Sequence, residues 1–321
     1  MRYLPLSVLL TAMCYCPFGT GQDFPGLEIQ RGPYLQGLTE SSVKIIWLTS
    51  SPAVGRIRCV GEDGHIVEVA GPLGASQELV LEGLRPATAY SYLVFGGEQE
   101  LGQQEAQHFR TASPPGQGRL RAVVAGDTGT GSMEQARIST VMEGLDANLF
   151  LHTGDLFYQS SPDFVHFRPY RYLLSKTCLF PSRGNHDLDL QHFDVEWRDL
   201  FTVPNDDPAR FGVYYSYDWG PAHFTVLDYI PFGSDVSAQL DFVERDLADA
   251  RARGMPWLVV YQHIPLYTAG VYANLIHPVR ERLPELCDRY GVDMVFSGHD
   301  HNYQRSYPVR EGVARDAWQD P

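Results

Sequence analysis

Five short apolar runs in this chain each end on side chains that can hold a metal ion. The run 120–125 ends in Gly126-Asp127-Thr128-Gly129, and 148–153 ends in Gly154-Asp155-Leu156-Phe157-Tyr158. The run 177–181 leads to Gly184-Asn185-His186-Asp187, 257–261 to Gln262-His263, and 292–296 to Gly298-His299-Asp300-His301. Runs this short and apolar, bounded by turn residues, read as buried strands. Polar residues gathered at one end of such strands point to an α/β sheet, because open α/β folds keep their ligands at the carboxyl edge. The segments between them carry helical signals. Ser132 followed by Gln135 is a capping box opening a helix to about Gly144, and a further helix is expected over 164–174. Leu240, Val243 and Leu247 mark one face of a helix over 237–252, and another is expected over 279–290. Strand alternating with helix gives a largely parallel core. Two adjacent runs, 212–217 and 223–227, are joined by the tight Asp218-Trp219-Gly220-Pro221 and read as a hairpin.

The front of the chain follows another rule. Residues 27–112 hold strand-like runs at 43–47, 55–60 and 65–69, punctuated by turn residues at short spacing, the pattern of a β-sandwich. Leu84-Arg85-Pro86-Ala87-Thr88-Ala89-Tyr90 resembles the fibronectin type III signature Leu-x-Pro-x-Thr-x-Tyr, and no cluster of reactive side chains accompanies it. The linker 112–118, Ala-Ser-Pro-Pro-Gly-Gln-Gly, separates this module from the α/β part, which runs from 119 to 321. Residues 1–21 read as a secretory signal peptide, with Arg2 as the charged start, an apolar stretch over 3–16 and small residues at Gly19-Thr20-Gly21. The apolar stretch is too short to span a membrane, and no other stretch could span one. Thr11-Ala12-Met13 is a poor lipoprotein signal for Cys14. A secreted or periplasmic protein follows. The formal net charge of -14, without any basic stripe, excludes nucleic acid as a steered partner. Beyond the signal region only Cys59, Cys178 and Cys287 remain, with no metal-type spacing, so they read as buried thiols. The chain stops at Pro321 soon after its last motif, which reads as the end of a C-terminally truncated fragment.

The strand ends deliver Asp127, Asp155 with Tyr158, Asn185 with His186, His263, and His299 with His301. Oxygen and imidazole donors without thiolate suit Fe, Mn, Zn or Mg rather than a structural zinc site. They suffice for a pair of ions about 3.5 to 4 Å apart, the arrangement that clamps an in-line displacement at phosphorus. The motifs Gly-Asp-x-Gly, Gly-Asp-x-x-Tyr, Gly-Asn-His-Asp, Val-x-x-His (Val260 to His263) and Gly-His-x-His stand in this order. They resemble those of the calcineurin-like metallophosphoesterases and, more narrowly, of the purple acid phosphatases, over residues 119–305. A fibronectin-like front module is also usual in that family.

The resemblance implies a four-layer metallophosphatase sandwich behind an all-β module, and a hydroxide held by a dinuclear centre that cleaves phosphomonoesters to inorganic phosphate. Carried over residue by residue, Asp127, Tyr158 and His301 would bind Fe(III). Asn185, His263 and His299 would bind a divalent Fe, Zn or Mn, and Asp155 would bridge the two ions. His186 would contact the phosphate and the leaving oxygen, with Asp187 orienting it. The family usually places a further histidine in the loop after Val-x-x-His, and His277 is the candidate here. Tyr267 and Tyr272 in the same loop read either as pocket lining or as solvated aromatics, and Arg183 either as a phosphate contact or as a salt bridge. His152 reads as a hydrogen-bonded core residue, and His166, His192 and His223 lie in helices or strands away from the motifs. The runner-up activity is a phosphodiesterase or nucleotide pyrophosphatase on the same ions. A reading of another class is an adhesion protein acting through the front module, with a degenerate catalytic half.

Overall fold

The structure, a computed structural model, describes residues 26–102, 107–193, 195–204, 213–231 and 234–315. The signal segment 1–21 lies outside the described residues. The front is an antiparallel six-stranded sheet of β1 (Ile29–Gln36), β2 (Val43–Gly61), β3 (Ile66–Leu81), β4 (Ala89–Gly96), β5 (Gln99–Leu101) and β6 (His108–Arg110). The runs 43–47 and 55–60, expected as separate strands, are one strand. Register shifts after Leu48 and after Val54 bend β2, so that its first half pairs with β1 and its second with β4. Trp47, Ile57, Cys59 and Tyr92 fill the core. The Tyr90 hydroxyl accepts the Arg85 amide at 2.8 Å, closing a tyrosine corner within the Leu84–Tyr90 signature.

The α/β part has two sheets. β7 (Ala122–Ala125), β8 (Leu149–His152) and β9 (Cys178–Pro181) run parallel. In the second, β10 (Tyr215–Trp219) and β11 (Ala222–Val226) form the expected hairpin, and β12 (Trp257–Tyr261) and β13 (Met294–Phe296) continue parallel to β11. The helices are α1 (Met133–Glu143), α2 (Arg171–Leu174), α3 (Trp197–Leu200), α4 (Ser237–Ala252) and α5 (Val279–Tyr290). A two-residue hairpin, β14 (Val309–Arg310) with β15 (Val313–Ala314), ends the described chain.

Side-chain alternation along the strands builds the layers. Leu149 and Leu151 face Phe224, Val226, Val259 and Tyr261 in a core between the two sheets. Phe150 and Leu179 face the other way, packing with Met142 of α1 and Leu173 of α2. Leu258 and Val260 meet Leu240, Val243 and Leu247 of α4 and Leu283 and Leu286 of α5. Helix, sheet, sheet, helix is the four-layer sandwich that the motifs imply.

Local signals were accurate where the segment is long. Helix α4 buries the three residues its pattern marks. Ser132 caps α1, accepting the Gln135 amide at 3.2 Å, but the reciprocal bond goes elsewhere: the Gln135 side chain accepts from Gly131 and donates to Val165. The helix expected over 164–174 is instead a π-turn at Asp163–Phe167 followed by α2, because Pro169 lacks the amide that would continue it. The front module is tied to this region by Arg31, which donates to both oxygens of Asp163 at 2.5 and 2.8 Å, and by Tyr92, whose hydroxyl donates to the Ser175 carbonyl at 2.7 Å. Cys59 and Cys178 are buried, Cys287 is half-buried, and all three are free thiols. Among the described residues no helix is long and apolar enough to cross a membrane.

One buried charge cluster pins the hairpin to α4. His223 on β11 is 3% exposed. Its Nδ1 lies 2.6 Å from Asp218 and its Nε2 2.9 Å from Asp246. Asp246 also accepts from the hydroxyls of Ser216 and Thr225, at 2.6 Å each, and Asp218 accepts from Arg253 at 2.5 Å. Burial works against the imidazolium, but the two carboxylates outweigh it and carry the His223 pKa up to about 9.

Candidate metal centre

The carboxyl ends of the two sheets converge on one point. Asp127 follows β7, Asp155 and Tyr158 follow β8, Asn185 follows β9, His263 follows β12, and His299 and His301 follow β13. Each turn leaves its strand abruptly. Asp127, Asp155 and His299 hold φ of 55°, 57° and 69°, the left-handed region that side chains avoid at a cost on the order of 1–2 kcal/mol each. Such strain collects at functional sites, where the surrounding contacts hold it in place. Gly154, at φ 98°, lets β8 pass so close to its neighbours that a Cβ there would meet His263 and the Gly184 backbone. A Cβ on Gly184 would in turn meet the Asp155 amide and carboxylate.

The side chains form two groups. Tyr158 Oη lies 3.1 Å from His301 Nε2, which lies 3.4 Å from Asp127 Oδ1. Asn185 Oδ1 lies 3.1 Å from His263 Nε2 and 3.0 Å from His299 Nδ1, and the two imidazole nitrogens are 3.1 Å apart. Asp155 stands between the groups. Its Oδ2 is 3.4 Å from His263 Nε2, and its carboxylate falls within 4.8 Å of ligand atoms of Asp127 and His301. His263 Nδ1 lies 2.9 Å from the Thr153 carbonyl and must donate to it, since a carbonyl has no proton. Nε2 faces the oxygen of Asn185, a nitrogen of His299 and the carboxylate of Asp155; burial works against a charged ring, but Asp155 outweighs it and holds the His263 pKa above its ordinary value. A metal ion placed among these donor atoms would take the place of the proton on Nε2.

Burial, reinforced by Asp155, holds the Asp127 carboxyl above its ordinary range. Burial acts in the same direction on Asp155, but His263 outweighs it and keeps that carboxyl low. Burial together with the carboxylates of Asp127, Asp155 and Asp187 raises the Tyr158 phenol well above its usual value. Burial, with His263 next, pushes His299 down to about 4. A cation would reverse the sign of the field at Tyr158.

Two residues stand differently from their expected places. Asp187 is 2% exposed, and its carboxylate does not turn toward the His186 ring. It accepts four backbone amides, from Asp155 and Gly184 at 2.8 Å each, Leu156 at 2.8 Å and Phe157 at 3.1 Å. It is therefore the strut that joins the β8 and β9 turns, although burial and Asp155 raise its pKa to about 7. His277 is buried at the start of α5, where Nε2 donates to the Ile230 carbonyl at 3.0 Å and Nδ1 accepts the Val279 amide at 3.2 Å. Both ring nitrogens are committed to backbone, so the expectation of a catalytic His277 is withdrawn. Arg183 is a salt bridge: it grips both oxygens of Asp228 at 2.7 and 2.5 Å. His186 stands at the rim, exposed, with its ring 4.7 Å from that of Tyr158 and its amide donating to Asp155 at 2.9 Å. His152 is buried, 2.8 Å from the Thr128 hydroxyl, and accepts the Gly154 amide at 3.2 Å.

Of the two readings open for Tyr272, pocket lining or solvated aromatic, the structure favours the first. Tyr272 lies ring to ring with His299, at 4.1 Å and 31°. Its place nine residues after His263, in the loop expected to carry a histidine, was the available signal.

A family model described as calcineurin-like phosphoesterase matches residues 120–303, and the chain belongs to that family. Within it, the relatives are purple acid phosphatases. Purple acid phosphatase 15 of Arabidopsis thaliana is 29% identical over 74% of this chain and 50% of its own length. Purple acid phosphatase 23 of the same plant is 27% identical over 72% of this chain and 58% of its own length. The chain thus spans about half the length of the curated relatives it matches. The solved purple acid phosphatase PPD1 from yellow lupin seeds superposes with a TM-score of 0.72 over 89% of this chain and 62% of its own, at 22% identity, which establishes the shared fold.

Proposed function

We propose that the chain is a metal-dependent phosphoester hydrolase that cleaves phosphomonoesters at a dinuclear centre. The observation that carries this reading is the convergence of two donor triads on either side of Asp155. Asp127, Tyr158 and His301 would hold Fe(III), and Asn185, His263 and His299 a divalent Fe, Zn or Mn, with Asp155 shared. The donors fit such a pair: hard oxygens and a phenol for the trivalent ion, imidazoles and an amide oxygen for the divalent one. Two ions would supply Lewis-acid polarisation of phosphate oxygens and an acidified water.

The chain's own groups then have definite tasks. Thr153 fixes the His263 tautomer through Nδ1, leaving Nε2 as the donor atom. Asp187 holds the β8 and β9 turns at a fixed separation, so Asp155 and Asn185 keep register. His186, exposed beside Tyr158, is placed to bind a phosphate oxygen and to give a proton to the leaving oxygen. The front module, with its tyrosine corner, is read as a fibronectin type III-like domain over 27–112 that packs on the catalytic part, 119–321, and the protein as a secreted or periplasmic one.

Metal content decides the matter. Elemental analysis of the purified protein should find two ions per chain, with a visible band that disappears in Tyr158→Phe if iron occupies the first triad. One ion or none after metal loading would overturn the dinuclear reading. Turnover of a bis-ester in preference to its monoester would replace phosphatase by phosphodiesterase.

A further inference from the structure

The loop after His263 is built to hold one aromatic ring. Arg280 of α5 is spent on it: Nε donates to the Pro265 carbonyl at 2.7 Å, and Nη1 to Tyr272 at 3.1 Å and Leu275 at 2.7 Å. These bonds turn the guanidinium toward the loop backbone. A second clamp comes from the motif that carries His299 and His301. The Asp300 carboxylate, between those two histidines, accepts the Thr268 hydroxyl, and Gln304 accepts the Ala269 amide at 2.7 Å and donates to Thr268 at 2.9 Å. Gly270 lies so close to Asp300 that any Cβ would strike its carboxylate. Between the two clamps stands Tyr272, half-buried against His299, with Val271 beside it 87% exposed.

Arg183 is paired with Asp228 and Arg280 with carbonyls, while Arg305, four residues after His301, is exposed. Beside His299 stands the ring of Tyr272, and next to Tyr272 the exposed side chain of Val271. We propose that Tyr272, held in place by Arg280, is the specificity-determining residue of this site, and that it selects phosphomonoesters whose leaving group is a planar aromatic over aliphatic ones. This inference rests on the hydrolase reading above. A ring face presented to a planar leaving group gains an offset-stacked contact that an alkyl group cannot make.

Calorimetry on the metal-loaded protein tests this, with phenylphosphonate and methylphosphonate as probes, beside kcat/KM for phenyl phosphate and glycerol phosphate. Phenylphosphonate should bind more tightly than methylphosphonate in the wild type. That ratio should fall about fivefold in Tyr272→Ala and be kept in Tyr272→Phe. Arg280→Lys, which retains charge but loses the fork to the carbonyls, should lower the same ratio with unchanged metal content. A ratio that Tyr272→Ala leaves unmoved, or that Tyr272→Phe loses as fully, overturns the inference while hydrolysis of both esters stands. If the loaded wild type hydrolyses neither ester, the hydrolase reading falls and this inference with it.

Discussion

Two clusters in this molecule are made of the same residue types and do opposite things. At the hairpin, His223 meets a carboxylate on each ring nitrogen, and Asp218 is further balanced by Arg253. Two carboxylates, an imidazolium and a guanidinium close to neutrality. At the strand ends, nitrogens of His263 and His299 face each other and the oxygen of Asn185, and Asp127 and Asp155 add negative charge without any Lys or Arg in the hydrogen bonds and ion pairs described there. The first cluster is closed by protons. The second gathers donor atoms among which a metal ion would replace a proton. The lesson is that histidines and aspartates gathered in space become a candidate ligand site when their donor atoms face one another without Lys or Arg to balance them.

The comparison can be broken in four places. The largest effect is expected from Asp155→Asn, which removes the shared carboxylate. Hydrolysis should fall by three orders of magnitude or about that, together with loss of at least one bound ion. The thermal midpoint of the metal-free protein should stay near that of the wild type, because relieved repulsion offsets the lost contact with His263. A variant that keeps both ions and full turnover would remove Asp155 from the centre.

Asp246→Ala should do the reverse. It strips the partner from His223 and from two hydroxyls, and breaking such a buried pair costs about 3–5 kcal/mol of stability. Metal content per folded chain should not change. Urea titration beside elemental analysis separates the outcomes, and a metal loss without destabilisation would refute the division drawn here.

A pH dependence of stability comes next. The His223 pKa is about 9 in the folded protein, against about 6.5 in an unfolded chain. A raised folded pKa stabilises fully below the unfolded value and loses that contribution as pH rises through the folded one. Stability should therefore decline between about pH 6.5 and 9, by up to about 3 kcal/mol. In His223→Gln this slope should flatten, and a slope that persists would place its origin in other groups.

The smallest effect belongs to Asp187→Asn. An amide offers a single acceptor oxygen and would set its NH2 against two backbone amides. Metal affinity should weaken by about 10- to 100-fold, read by competition with a chromophoric chelator. Undiminished affinity would mean that the β8 and β9 turns hold their spacing without the strut.

Much of this was legible in the chain. The strand ends were marked by apolar runs that stop at Gly-Asp, Gly-Asn-His and Gly-His-x-His, and α4 and α5 by their periodicity and length. These are local signals, set by side-chain alternation and helical repeat. The bent β2 was not legible, since its unity depends on two partners pairing with its two halves. Nor was the break before α2 given its due: Pro169 stood in plain view within the helix assigned to 164–174.

The sequence by itself determined which residues reach the carboxyl edge, because the strand period and the turn glycines leave no other place for them. Only the tertiary structure decided what they meet there. It turned Asp187 to four amides rather than to His186, committed His277 to the backbone at the head of α5, and set Tyr272 against His299. Those choices depend on contacts between segments far apart in the chain, and on which donor atoms are left facing one another once the backbone donors have been satisfied.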